Sequence, residues 1–203
     1  MRVFVAGASG VIGVRLVPLL VAAGHEVAGM TRSPGKMEHL RALGAEPVVC
    51  DAFDAAALRE AVVRFQPEAV VNELTDLPDE PAETNEPNAR MRREGTRNLL
   101  AAAEAAGASH FVAQSIAWRL PGDAGAAVAE LERLVLAVDG VVLRYGRLYG
   151  PGTYYEDEKP EPPRVHVDEA ARRTAPALYA ASGIVEVTDD ARGERSVPGR
   201  RSV

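Results

Sequence analysis

The sequence predicts an α/β fold, a doubly wound parallel sheet, on three observations. Short apolar runs at residues 3–6, 26–30, 46–50, 68–72, 109–113 and 141–144 alternate with segments of helical periodicity, which is the pattern of βαβ units. The first run ends in Gly7-x-x-Gly10-x-x-Gly13, after which apolar residues recur at Ile12, Leu16, Leu19, Leu20 and Ala23, the period of one helix face. Length fits too. A chain of 203 residues, 47% hydrophobic and 26% charged, suits one domain with a sizeable core and at most a small appendage.

The opening stretch reads as strand, tight turn and helix. One glycine allows the sharp reversal, another lets backbone N–H groups approach a pyrophosphate, and a third lets helix and strand pack closely, the logic of a dinucleotide-binding turn. The pyrophosphate would sit on the helix N-terminus, where unpaired N–H groups and the macrodipole favour negative charge. Gly7, Ser9, Gly10, Val11, Ile12 and Gly13 are therefore the phosphate-binding candidates, Ser9 adding a hydroxyl. A Rossmann-type domain that holds no nucleotide is the alternative, because folds outlive their functions.

Gly24-His25 turns the chain into the second strand, residues 26–30, whose far end would meet the adenosine ribose. An acidic residue there would bond the 2′-hydroxyl of NAD. The chain instead reads Met30-Thr31-Arg32-Ser33-Pro34. Arg32, with the hydroxyls of Thr31 and Ser33, suits a 2′-phosphate, so NADP is favoured over NAD; a solvated Arg32 is the plain alternative. A short helix over 36–43 stops at Gly44, and the third strand, 46–50, runs into Asp51-Ala52-Phe53-Asp54. Asp51, with Ala52 beside it, is a candidate contact for the adenine. Asp54 is placed to cap a helix over 55–65, since its side-chain oxygen can satisfy an unpaired N–H. The fourth strand, 68–72, brings Asn72 to the cofactor edge, with Glu73 next.

Residues 74–88, rich in Pro, Asp, Glu and Thr, read as a loop that either covers the cofactor or is solvated. A helix follows over 89–106, where Arg90, Arg92, Arg93 and Arg97 read as an exposed basic face, with a phosphate site as the alternative. A fifth strand over 109–113 leads to Gln114-Ser115. Beyond it come a helix over 124–137, a strand over 141–144, a helix over 168–182 and a strand over 183–187. Residues 191–203 lack apolar periodicity and read as a disordered tail.

The totals exclude several classes. A net charge of −6 argues against general nucleic-acid affinity. With no 18-residue apolar window and a glycine motif too near the N-terminus for a signal peptide, no membrane association and a cytoplasmic location are expected. Cys50 is the single cysteine, so no internal disulfide forms, and its apolar run reads as packing. No metal site is expected.

Together Gly7-x-x-Gly10-x-x-Gly13, Asp51-x-x-Asp54, Gly95-Thr96-Arg97-Asn98-Leu99-Leu100, Ser115, Arg144-Tyr145-Gly-Arg-Leu-Tyr149-Gly150-Pro151-Gly152 and Val165-His166-Val-Asp168 resemble the extended short-chain dehydrogenase/reductases, the NAD-dependent epimerase/dehydratase family. The resemblance spans nearly the whole chain in order. It implies a Ser, a Tyr and a Lys four residues after that Tyr: the Tyr as acid or base, the Lys lowering its pKa and holding the nicotinamide ribose, the Ser orienting a substrate oxygen. A phenol with a reference pKa of about 10 needs a nearby cation to serve at neutral pH. Ser115 is in place. However, Ala126 stands where alignment to Glu130 puts the lysine, and no tyrosine precedes it. The one Tyr-x-x-x-Lys, Tyr155 to Lys159, falls well past the expected position and reads as coincidence.

Tyr149 or Tyr145 would by resemblance pass near the nicotinamide, with Tyr154, Tyr155 and His166 as weaker candidates and Trp118 as a wall of the same pocket. The substrate-binding part is short. The expected organisation is therefore an NAD(P)-binding domain over 1–150, a truncated substrate-binding remnant over 151–190, and the tail over 191–203. Three functions fit: an NAD(P)-dependent oxidoreductase acting on a carbonyl or hydroxyl of a small-molecule substrate, a non-redox lyase, isomerase or cyclase on the same fold, or a non-catalytic NAD(P)-binding sensor or partner protein. Ser115, Tyr149 and Glu73 are the catalytic candidates, Glu73 as a base if burial raises its pKa. The resemblance also suggests a homodimer through the helices over 89–106 and 124–137.

Overall fold

The computed structural model describes residues 1–77 and 86–189. Its β-branched and small apolar runs form β1 (Arg2–Ala6), β2 (Glu26–Thr31), β3 (Glu46–Val49), β4 (Ala69–Asn72), β5 (His110–Ile116), β6 (Val141–Tyr145), the short β7 (Arg147–Tyr149) and β8 (Arg164–His166), and β9 (Gly183–Val187). Seven of them make one sheet in the order β3-β2-β1-β4-β5-β6-β9, every neighbouring pair parallel. The chain leaves β1 toward one edge and returns to β4 on its other side. That reversal opens a crevice at the carboxyl ends of β1 and β4, where ligands bind in such sheets.

Alternation along the strands sends side chains to two cores. Val3, Val5, Val71 and Leu143 meet α1 (Gly13–Ala22) and α7 (Val167–Thr174) on one face. Phe4, Ala6, Val70 and Val142 meet α3 (Ala55–Phe65), α5 (Thr96–Ala106) and α6 (Gly122–Leu136) on the other. Strands buried on both faces read as near-continuous apolar runs, as these do. Asp54 caps α3 by accepting from the Ala57 amide at 3.0 Å. Val165, Val167, Ala170, Leu178 and Val187, from the carboxyl-terminal stretch, join the same core as Val3 and Leu16.

Four local expectations change. β5 continues through Ile116, so Gln114 and Ser115 are strand residues, paired with Leu143 and Arg144. The helix expected over 89–106 starts earlier, as α4 (Glu86–Arg90), and is interrupted by a π turn at Met91–Gly95. The helix expected over 168–182 ends at Thr174 and tightens into a 3-10 turn, Ala175–Tyr179, where Pro176 offers no N–H to an α-helical ladder. The pair β7 and β8, parallel to each other, is new and ties the segment after β6 to the start of α7. Beyond these, α2 (Met37–Ala42) follows a short 3-10 turn. The expected tail over 191–203 and most of the loop over 74–88 lie outside the described residues. Among the described residues no helix is long and apolar enough to cross a membrane.

Candidate functional site

The glycine turn leaves no room for side chains. Gly7 has φ +84°, and a Cβ there would lie 2.5 Å from the Glu73 carbonyl oxygen. A Cβ on Gly13 would lie 2.4 Å from the Gly7 carbonyl oxygen. The turn is closed by the Gly10 amide donating to Gly7 at 2.9 Å and fastened to β2 by the Ala8 amide donating to Met30 at 3.1 Å. Past it, the Val14 and Leu16 amides find Gly10 and Ile12 carbonyls, whereas the amides of Val11 and Ile12 meet no acceptor among the described residues. No side chain caps α1, and its first turn carries no acidic residue. Two free donors at an uncapped helix N-terminus fit a diphosphate.

Beside this turn lies a cleft of about 210 Å³ at the switch point. Six of the cofactor candidates, Gly7, Ser9, Gly10, Arg32, Asp51 and Ala52, line it, and Val11, Ile12 and Gly13 build the turn behind them. Ser9 and Thr31 share a hydroxyl hydrogen bond of 2.9 Å, and Thr31 also accepts from the Ser33 amide at 3.2 Å. Arg32 pairs with Asp76 at 3.0 Å, and its side chain stays largely exposed. Lys36 lines the same end. Sequence reasoning passed over it as part of a helix, although its being one of two lysines in the chain was a signal. Asn72 does not line the cleft. It is buried, donates to Thr96 at 3.2 Å and accepts from the Leu74 amide at 3.1 Å, pinning α5 to the end of β4.

The reaction-side candidates fall into three separate clusters. Ser115 points under α6 and donates to Glu132 at 2.6 Å, while Arg144 grips the same carboxylate at 2.8 and 2.6 Å. Burial pushes the Glu132 carboxyl up, but the hydrogen bonds from Arg144 and Ser115 outweigh it and hold it below the usual range. On the opposite face Glu73 lies 3.0 Å from the Tyr145 hydroxyl, which is 2.6 Å from the Thr174 hydroxyl. The second carboxyl oxygen of Glu73 has no partner among the described residues. Burial pushes Glu73 up to about 8, with the Tyr145 hydrogen bond opposing it. Burial and the Glu73 carboxyl likewise push the Tyr145 phenol up, with Thr174 opposing. Tyr149 donates to Asp189 at 3.0 Å, meets the His166 ring edge-on at 5.2 Å, and carries the Lys159 ammonium 5.0 Å above its ring.

Other candidates find structural partners. Trp118 stacks under Arg147 at 5.0 Å. His166 accepts from the Asp168 amide at 3.3 Å and so caps α7. Asp168 in turn holds Arg15 at 2.6 Å, and Arg15 also reaches the Pro151 carbonyl at 2.6 Å, locking the glycine-turn helix to the Gly150-Pro151-Gly152 segment. Burial pushes the Cys50 thiol up, and Asp54 and Asp51 add to this, as suits a packed side chain. Among the described residues no cluster of His, Cys, Asp and Glu could hold a metal ion. A larger groove of about 650 Å³ runs over α4 to α6, away from the switch point, between arginines and carboxylates that already pair with one another.

A parallel sheet ordered around such a turn defines a dinucleotide-binding α/β protein of the Rossmann type. The profile of the NAD(P)H-binding family matches residues 7–142. The chain belongs to that family. A 3-diazoavenalumate denitrifying reductase from a Streptomyces species is 40% identical to it over 236 aligned positions, covering 94% of this chain and 76% of the relative. Among solved structures, a Thermus thermophilus UDP-glucose 4-epimerase in complex with NAD matches with a TM-score of 0.77 at 24% identity, over 93% of this chain and 78% of that one. A Thermotoga maritima UDP-glucose 4-epimerase with UDP-glucose matches with a TM-score of 0.76 at 19% identity, over 93% and 77%. At these identities the epimerases bear on the fold alone, and that fold is the doubly wound parallel sheet the sequence predicts.

Proposed function

We propose that the protein is an NADPH-dependent reductase of a small, electron-poor acceptor. The observation that carries this reading is the 40% identity, over 94% of the chain, to a reductase that acts on a diazo compound. When bound, the reduced nicotinamide supplies hydride. The Val11 and Ile12 amides would hold the diphosphate, Asp51 and Ala52 would flank the adenine, and Arg32, Ser33 and Lys36 would meet the 2′-phosphate. Two cations at that end favour NADPH over NADH.

The acceptor follows from what the reaction side lacks. α6 presents Gly122 and Ala126 where the family's Tyr and Lys would stand. A carbonyl reduced by hydride leaves an alkoxide, which needs a positioned acid; the hydroxyls of Ser115 and Tyr145 are committed to Glu132 and to Glu73 and Thr174, which leaves the buried Glu73 carboxyl at the cleft as the acid to be tested. An acceptor that starts cationic, such as an aryl diazonium group, has no alkoxide to protonate. The test follows reduced-nicotinamide absorbance with diazotised 3-aminobenzoate and with a panel of aldehydes and ketones. Turnover of the diazonium compound alone is the expected result.

A second reading is favoured by one contact, Lys159 over the Tyr149 ring. In it these two side chains form a relocated phenol–ammonium pair and reduce a carbonyl. It requires that Tyr149→Phe abolish carbonyl turnover.

A further inference from the structure

Four arginines follow one another along α4, the π turn and α5, and three are paired on the outer side. Arg90 meets Glu94 at 2.7 Å, Arg93 meets Asp123 at 2.7 Å and Glu130 at 3.2 Å, and Arg97 meets Glu130. Arg92 differs. It is half-buried, and no ion pair or hydrogen bond reaches its guanidinium from the described residues. Burial alone pushes its ionisation down. A cation withdrawn from water without a partner is costly, so its persistence asks for an anion that arrives later.

Helix geometry says where that anion would sit. Asn88 and Thr96, four residues to either side of Arg92, are 3% and 1% exposed. Asn88 accepts from the Asp76 amide at 3.1 Å, and Thr96 accepts from Asn72 at 3.2 Å. Both partners lie at or just past the carboxyl end of β4, so the stripe that carries Arg92 faces the edge of the sheet where ligands bind. Met91, the preceding residue, lines the cofactor cleft. The π turn that redirects this segment packs against α6, the helix carrying Gly122 and Ala126, and such turns recur at functional sites.

Resting on the reductase reading above, we infer that Arg92 binds the carboxylate of an anionic substrate beside the cofactor. A guanidinium offers a planar fork of donors that matches a carboxylate in two parallel hydrogen bonds, and an ammonium does not. Arg92 thus fixes the end of the substrate remote from the reacting group. It also explains why this one arginine of the four has no carboxylate of its own.

The test is calorimetry on the full chain. NADP⁺ is titrated first; its failure to bind would sink the reductase reading itself. With NADP⁺ saturating, 3-hydroxybenzoate and its neutral isostere 3-hydroxybenzamide are then titrated into wild type, Arg92→Met and Arg92→Lys. Loss of a charge-assisted pair weakens benzoate roughly 10- to 100-fold in Arg92→Met, with Arg92→Lys between, while the benzamide and NADP⁺ stay within about twofold. The melting temperature of Arg92→Met stays equal or rises, since an unpaired desolvated charge is removed. Equal losses for benzoate and benzamide, no loss for either, no benzoate binding to wild type, or a lower melting temperature with weakened NADP⁺ binding would overturn the inference.

Discussion

The two halves of the crevice treat their polar groups in opposite ways. At the glycine turn the Val11 and Ile12 amides stay open, and Arg32 and Lys36 stand at the cleft with at most one surface partner. Across the sheet, the hydroxyls of Ser115, Tyr145 and Tyr149 each donate a hydrogen bond to a carboxyl oxygen within 3.0 Å. The open donors beside the cleft are set by backbone shape, which a handful of glycines enforces. The hydroxyls across the sheet are instead held by neighbouring side chains.

The strongest way to break this contrast is to fill the turn. Gly7→Val forces a side chain into positive φ and against the Glu73 carbonyl, and NADPH affinity should fall at least about 100-fold by calorimetry. Retained affinity would show that the turn does not hold the diphosphate. Next in size, Glu132→Gln should cost about 2 kcal/mol in urea unfolding and leave NADPH affinity unchanged. That figure discounts the usual cost of breaking a buried pair because the Arg144 side chain is about a third exposed. Ser115→Ala should behave likewise at about 1 kcal/mol, the size of a single lost hydrogen bond.

The Glu73 network gives a pH signature. Its carboxyl titrates near 4.5 when unfolded and at about 8 when folded, so between those values the native state holds the extra proton. Stability is therefore full below about 4.5 and falls as pH rises toward about 8. Glu73→Gln should flatten that slope in melts run across the window. An unchanged slope would mean that the carboxyl is ionised in the folded chain. The smallest effect expected is at the ribose. Arg32→Ala should weaken NADPH about 10-fold and NADH hardly at all, because one charge-assisted contact to the 2′-phosphate is lost.

What the sequence could reveal follows the same division. Strand positions, the Asp54 cap and the glycine turn were readable because each obeys a local rule: period, capping chemistry, steric exclusion. The π turn at Met91–Gly95 was not, since nothing in the local pattern marks where a stretch that reads as one helix widens by a residue per turn. Arg92 was hidden with it. Four arginines in eight residues look like one basic face, and only the arrangement of Asn88 and Thr96 separates the inward one. The substrate-orienting role of Ser115 is an implication of the resemblance, whereas the alternation of β5 puts its side chain under α6 against Glu132.

The sharpest single measurement is stopped-flow oxidation of NADPH with matched acceptors, in wild type and in Tyr149→Phe. Turnover of diazotised 3-aminobenzoate in both proteins, with no aldehyde or ketone reduced by either, is what an acceptor needing no phenolic acid requires. Carbonyl reduction that vanishes in Tyr149→Phe would contradict it and put the proton chemistry back on a side chain.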